Sequence, residues 1–158
     1  ERGLPYAFAS HFAPAMLLQA IEVYRAHFKP SAECPRPYVT IGVPLVAAPT
    51  DEEAQLLASS VFQRVLGILR GQRGKLAAPV EGFAASLQPQ ERAALQDFLA
   101  CAVIGSPDTV RDGLNKLAEL TECDEMMFTC DIFDPALRLR SLDIAAAVRS
   151  GAPVPASA

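Results

Sequence analysis

Cys-Ala-Val-Ile-Gly-Ser-Pro-Asp-Thr-Val, residues 101–110, carries the end of a strand, a turn and the start of a helix in one uninterrupted stretch. Cys101 to Ile104 is a brief apolar run that Gly105 stops. Ser106 is an N-cap, its hydroxyl placed to accept an orphan amide of the first helical turn. Pro107 fills the first helical position, where a missing N–H is harmless, and Asp108 meets the positive end of the helix dipole. Val110, Leu114 and Leu117 then form the stripe the helix should bury. A strand turned directly into a helix is half of a βαβ unit, so the rest of the chain is best read for repeats of the device.

Repeats occur on both sides. Toward the C-terminus, Glu125 to Asp131 reads as a strand, and Asp134-Pro135 is a second cap followed by proline, opening a helix that carries Leu139, Leu142 and Ala146. Residues 151–158 form a small, proline-containing tail that reads as loose. Toward the N-terminus, a short helix from about Pro89 to Leu99 precedes the quoted stretch. Before it, residues 71–88 show no convincing period after the Gly71-Gln72-Arg73-Gly74-Lys75 break, the kind of long excursion used for lids and binding loops. Thr50-Asp51-Glu52-Glu53 is a capping-box sequence, and Ala54, Leu57, Val61, Val65 and Ile68 hold the helical period to about Leu69. Tyr38 to Val46 suits a strand. Pro14 starts a helix with Leu17, Ile21, Tyr24 and Phe28 on one face, and Leu4 to Ser10 is a short apolar strand.

Strands alternating with helices imply parallel pairing and right-handed crossovers. The apolar runs of residues 4–10 and 125–131 lack polar alternation, so both sheet faces are expected to be covered. That fits a doubly wound sheet or part of a (β/α)8 barrel. A whole barrel needs eight strands and about 250 residues; with about four strands in 158 residues, the fold class expected is α/β, a half-barrel forming one unit over 1–150.

Composition narrows the partners. The formal net charge is -4, with 14 Lys plus Arg against 18 Asp plus Glu, a balance unsuited to gripping a polyanion. No apolar run approaches the roughly 20 residues of a membrane span, and no apolar signal core follows the opening residues. The chain is therefore expected to be soluble and cytoplasmic, without nucleic-acid or membrane partners. Cys34, Cys101, Cys123 and Cys130 form no C-x-x-C, and with only His11 and His27 beside them no zinc spacing arises, so no metal site is expected. These cysteines read as small hydrophobes.

Nucleotide loops, nucleophile elbows and zinc-protease motifs are all missing. The suggestive cluster is Ser10-His11-Phe12 at the carboxyl end of the first strand, where barrel enzymes place active-site groups. A histidine there can donate to a ligand oxygen or shuttle a proton; the plainer alternative is a satisfied structural residue. His27, on a helix beside Arg25 and Lys29, has less claim. The amides after Gly105 can receive an anion, although Asp108 favours plain capping. Arg70, Arg73 and Lys75 can clamp a phosphate or simply be solvated. Asp131 and Asp134 flank the end of the last strand, and Asp134 is accounted for by its cap.

Residues 3–14, Gly-Leu-Pro-Tyr-Ala-Phe-Ala-Ser-His-Phe-Ala-Pro, followed by Tyr24-Arg25-Ala26-His27-Phe28-Lys29-Pro30-Ser31, resemble the middle of bacterial luciferase-like flavin-dependent monooxygenases. Thr50-Asp51-Glu52-Glu53-Ala54 and Gly105-Ser106-Pro107-Asp108-Thr109-Val110 are similar to that family's later landmarks. The resemblance covers the carboxyl-terminal half only. It implies strands five to eight of a (β/α)8 barrel, binding reduced FMN or, in some branches, a deazaflavin. It also implies oxygenation of a small organic substrate through a flavin peroxide, with a separate flavin reductase supplying the reduced cofactor. Ser10 and His11 match the segment that passes beside the isoalloxazine, making both candidate cofactor-binding residues and His11 the candidate catalytic one. Residues 71–88 fall where members carry a mobile lid.

The family's Ser/Thr-rich phosphate turn and its first four strands correspond to nothing in this sequence, so one copy is expected to lack a complete flavin site. The outer strands would leave open edges, which implies a complementary half-barrel or, most simply, a second copy in a symmetric homo-oligomer. The alternative to an enzyme segment is a non-catalytic half-barrel serving as a scaffold or binding module, or an inactive truncated product.

Overall fold

The computed structural model describes residues 2–11, 13–72 and 74–151. Among the described residues four strands and six helices follow one another as β1 (Tyr6–Phe8), α1 (Leu17–His27), β2 (Val39–Ala47), α2 (Asp51–Leu69), α3 (Phe83–Ser86), α4 (Pro89–Phe98), β3 (Val103–Gly105), α5 (Pro107–Thr121), β4 (Glu125–Thr129) and α6 (Pro135–Ser150). A 3-10 turn at Pro14–Met16 leads into α1.

Every strand pairs in parallel with β2. Its residues Val39 to Ile41 face β1, Thr40 to Pro44 face β4, and Leu45 to Ala47 face β3. Successive residues of a strand direct their amides and carbonyls to opposite edges. Tyr38 O accepts from Tyr6 N of β1 and Ala48 N donates to Gly105 O of β3, whereas Val39 O accepts from Asp124 N next to β4. Tyr38 and Ala48 have the same parity, so β1 and β3 lie end to end along one edge of β2 and β4 takes the other.

The path thus steps from β1 to β2, doubles back to β3, then crosses to β4. If every crossover is right-handed, the reversal sends α2 over the opposite face from α1. The packing agrees. Val39, Ile41, Val43 and Leu45 pack with Leu17 and Ile21 of α1, Val110 and Leu117 of α5, and Ile144 of α6. Val46 and Ala48 instead meet α2, together with Leu87, Leu95 and Ile132. Burying Leu57, Val61, Phe62, Val65 and Leu66 of α2 contributes roughly 1.5–3 kcal/mol each.

Several expectations change. The first strand is three residues long, leaving Ser10 beyond it. The outer strands are not covered on both faces: Ala7 is exposed and Met127 is 62% exposed, because α2 shields only the β2–β3 end of its face. The capping box of α2 is half made. Thr50 Oγ1 accepts from Glu53 N, but the Glu53 carboxylate pairs with Arg140 of α6 instead of turning back. Helix α6 buries Ser141, Ile144, Ala145 and Ala147 while Leu139 and Leu142 stay exposed. The stripe is rotated because Ser141 Oγ must reach Ala47 N, 2.8 Å away at the end of β2. In residues 71–88, the Ala78 carbonyl accepts from Gln63 Nε2 and Val80 N donates to Ser59 Oγ, and α3 follows. Residues 152–158 of the expected tail lie outside the described residues. Asp134, Ser106 and Pro107 cap as read, with the Asp134 carboxylate accepting from Ala136 N and Leu137 N.

Two links fasten α1 and β2 to the α5–β4 turn. Arg25 donates to the last carbonyls of α5, Thr121 O at 3.0 Å and Glu122 O at 2.7 Å. Asp124 accepts from Val39 N at 2.8 Å and from Arg36 at 2.6 Å.

Ser141→Ala should strand a buried amide at the end of β2 and cost about 1–3 kcal/mol, read as a lower urea midpoint. Partial burial works to raise the Asp124 carboxyl, but the Val39 amide and the Arg36 guanidinium outweigh it and hold the group below its ordinary value. A depressed carboxylate stabilises the fold above its unfolded pKa of about 3.9, and that contribution disappears as pH falls through the folded value. Urea melts from pH 7 to pH 2 should show this loss, and Asp124→Asn should be less stable at neutral pH with a flatter acid arm.

Candidate functional site

Where β1 ends, the chain tucks Ser10 against β2. Ser10 is fully buried and its Oγ donates to the Gly42 carbonyl at 2.5 Å, while its own amide closes a turn onto Phe8 O. This anchor sets the direction of His11, whose ring lies over Gly42. A Cβ on residue 42 would fall 2.6 Å from His11 Nδ1, so glycine is what admits the imidazole at this height.

His11 borders a cleft of about 250 Å³ between the sheet and α2, walled mainly by apolar groups such as Val46, Val61, Val65 and Phe98. Its charged members are Arg64 of α2 and Asp131 just past β4, joined at 2.6 Å. A shallower groove of about 730 Å³ adjoins it along α2, reaching Gln72 and the exposed Lys75.

The structure brings His11 and Asp131 to one cleft, with Ser10 buried beside His11 against Gly42 in the middle of β2. It separates the other candidates from them. His27 is on the exposed end of α1, with Nδ1 2.9 Å from Val23 O. The Ser106 amide is occupied: it donates to Asp51 Oδ1 at 2.7 Å, and Asp108 pairs with Arg111. The Ser106 amide, followed by the Thr109 hydroxyl, holds the Asp51 carboxyl below its usual range. That turn is a helix cap and not an anion site. Arg70 is engaged by Glu91, whose carboxyl is held low first by the Gln88 amide and then by Arg70; Arg73 lies outside the described residues. All four cysteines are free, and burial pushes the Cys101 and Cys130 thiols up, which suits packing and not nucleophilic chemistry. Among the described residues no cluster could hold a metal ion, and no helix is long and apolar enough to cross a membrane.

Sequence reasoning misses Arg64. It sits between Val61 and Val65 in an otherwise apolar stripe, and an arginine there is indistinguishable from one that snorkels to solvent. Only the approach of residue 131 from the far end of the chain reveals its role.

No protein-family model matches the chain. It is 40% identical to the uncharacterized protein YvbT of Bacillus subtilis over 94% of its own length and 44% of that protein. It is 38% identical to a luciferase-like monooxygenase of Escherichia coli over the same shares. Nearly the whole chain is thus similar to about half of a luciferase-like monooxygenase. Among solved structures it is similar to apo-MsnO8, with a TM-score of 0.72 and 30% identity over 96% of this chain and 46% of that one. The fold is also similar to the riboflavin lyase RcaE, solved with modified FMN and riboflavin, at a TM-score of 0.51 and 19% identity over 41% of that chain. The chain thus spans about half the length of the curated relatives it matches.

Gly42→Ala should displace the His11 ring and cost roughly 1–3 kcal/mol by overpacking, while Ser10 keeps its bond to the residue-42 carbonyl. A change in the His11 imidazole resonances larger than at His27 is the expected NMR signature; unchanged His11 resonances would contradict the close contact.

Proposed function

We propose that this chain is the carboxyl-terminal half of a flavin-dependent monooxygenase that oxygenates a small organic substrate once its barrel is completed. The observation that carries the reading is the match of 94% of the chain to only 44% of a luciferase-like monooxygenase. The exposed faces of β1 and β4 support it, since a sheet segment leaves such surface bare when its neighbours are absent.

The chain alone does not fit a flavin mononucleotide. Its cleft of about 250 Å³ falls short of the roughly 300–1,000 Å³ usual for ligand pockets. Among the described residues the one Lys or Arg lining it is Arg64, which is paired with Asp131 and so is not free to balance a phosphate dianion. The adjoining groove is open on its solvent side and adds no second wall.

In the completed barrel, Ser10 fixes the backbone at the carboxyl end of β1 and His11 stands as a hydrogen-bonding wall toward the cofactor, with His11 as the proposed catalytic residue. Reduced FMN is the proposed flavin form and a separate flavin reductase its supplier. The completing partner is a complementary half-barrel, with a second copy of this chain as the competing occupant. The poor fit to flavin favours a second reading, a non-catalytic scaffold or binding module.

Titration with FMN, oxidised and dithionite-reduced, separates the two. The chain alone should not bind. Co-expressed with the unmatched remainder of the Escherichia coli relative it should bind, and His11→Ala should weaken that binding about tenfold or more. No binding by the co-expressed pair would leave the scaffold reading; equal binding by His11→Ala would remove His11 from the site.

A further inference from the structure

The cleft beside His11 is walled on one side by α2 and on the other by the carboxyl ends of three strands, with Val46 of β2, Ile104 of β3 and Thr129 of β4 in its lining. Barrel enzymes keep their reacting groups at that end of the sheet. The likeness to apo-MsnO8 takes in 96% of this chain and 46% of that one, so α2 and α4 hold the same place over β2 when the remainder is present.

His11 is the wall proposed to face the flavin, and the cleft runs from it toward Val65 and Phe98. Its size excludes the flavin but not a smaller reactant. An apolar cavity of about 150 Å³ accepts benzene, so a cleft of about 250 Å³ takes one ring with a substituent. Polarity narrows the class further. Among the described residues the acid and the base in this apolar lining, Asp131 and Arg64, are bonded to each other. A ligand that brought in a net charge would lose hydration with no countercharge to replace it. A neutral polar group can still bind the pair. Their bond employs Arg64 Nη2 and Asp131 Oδ2, whereas a guanidinium carries five N–H donors and a carboxylate two oxygens. A hydroxyl, which donates and accepts at once, matches both partners.

We propose that this cleft is the organic-substrate site, that its ligand is a neutral single-ring compound bearing a hydroxyl, and that Arg64 and Asp131 together take that hydroxyl and set the specificity. The role as substrate rests on the half-barrel monooxygenase reading; the binding itself does not.

Methyl NMR of the chain alone tests the binding, with p-cresol as the probe, p-xylene as its match without a hydroxyl and p-toluate as its charged counterpart. The Val61, Val65 and Ile104 methyls should shift saturably with p-cresol, and p-toluate should bind more weakly by about tenfold or more. In the double variant Arg64→Met with Asp131→Ala, the ratio of p-cresol to p-xylene affinity should fall about tenfold, the worth of a hydrogen bond to a charged group, while p-xylene affinity is unchanged. No saturable shift at those methyls overturns the site, equal binding of p-toluate overturns the neutral class, and an unchanged ratio overturns the role of the pair. With the unmatched remainder of the Escherichia coli relative bound, the same shifts should persist; their loss means that the remainder fills the cleft, and the substrate role falls. If the chain alone binds p-cresol as described while the co-expressed pair never binds flavin, the half-barrel reading fails and the cleft is the ligand site of a binding module, so the two failures stay distinct.

Discussion

Strand β2 is the constraint on which the structure depends. It is buried on both faces, and every other strand finds its hydrogen bonds there. A strand in that position cannot shift register by one residue without exchanging the side chains of its two cores, since Leu45 and Val46 serve different ones. Side chains complete what the strands leave unmade: Ser141 satisfies Ala47, Asp124 satisfies Val39, and Ser10 takes the Gly42 carbonyl. Each comes from a different part of the chain, so the candidate site residues are held by the same network that holds the sheet.

The candidate site follows from that network. His11 is placed by the serine before it and by the glycine beneath it. Arg64 and Asp131 meet at the cleft because a helix after β2 and the end of β4 converge on one end of the sheet. This is a wall with one small opening.

Local chemistry was readable in advance because it is local. Ser106-Pro107 and Asp134-Pro135 cap their helices within a few residues of themselves, and Val110 and Leu117 lie at a helical period that needs no partner to define it. The burial of α6 was not readable, since Leu139 and Leu142 offer as good a stripe as Ile144 and Ala145 until Ser141 is required by an amide in β2. The half-made box at Thr50 failed for a similar reason: Glu53 has a cation within reach 87 residues later in sequence. The position of Ser10 and His11 after a strand was readable from the short apolar run before them. Arg64 was invisible because its partner is remote.

Dependence on β2 also sets an order of events in time. Thr40 meets Glu125 across 85 residues, and such distant pairing is slow to form. During synthesis one edge of β2 stays unsatisfied until nearly the whole described chain has left the ribosome, and the nascent protein is open to wrong strand partners for that interval.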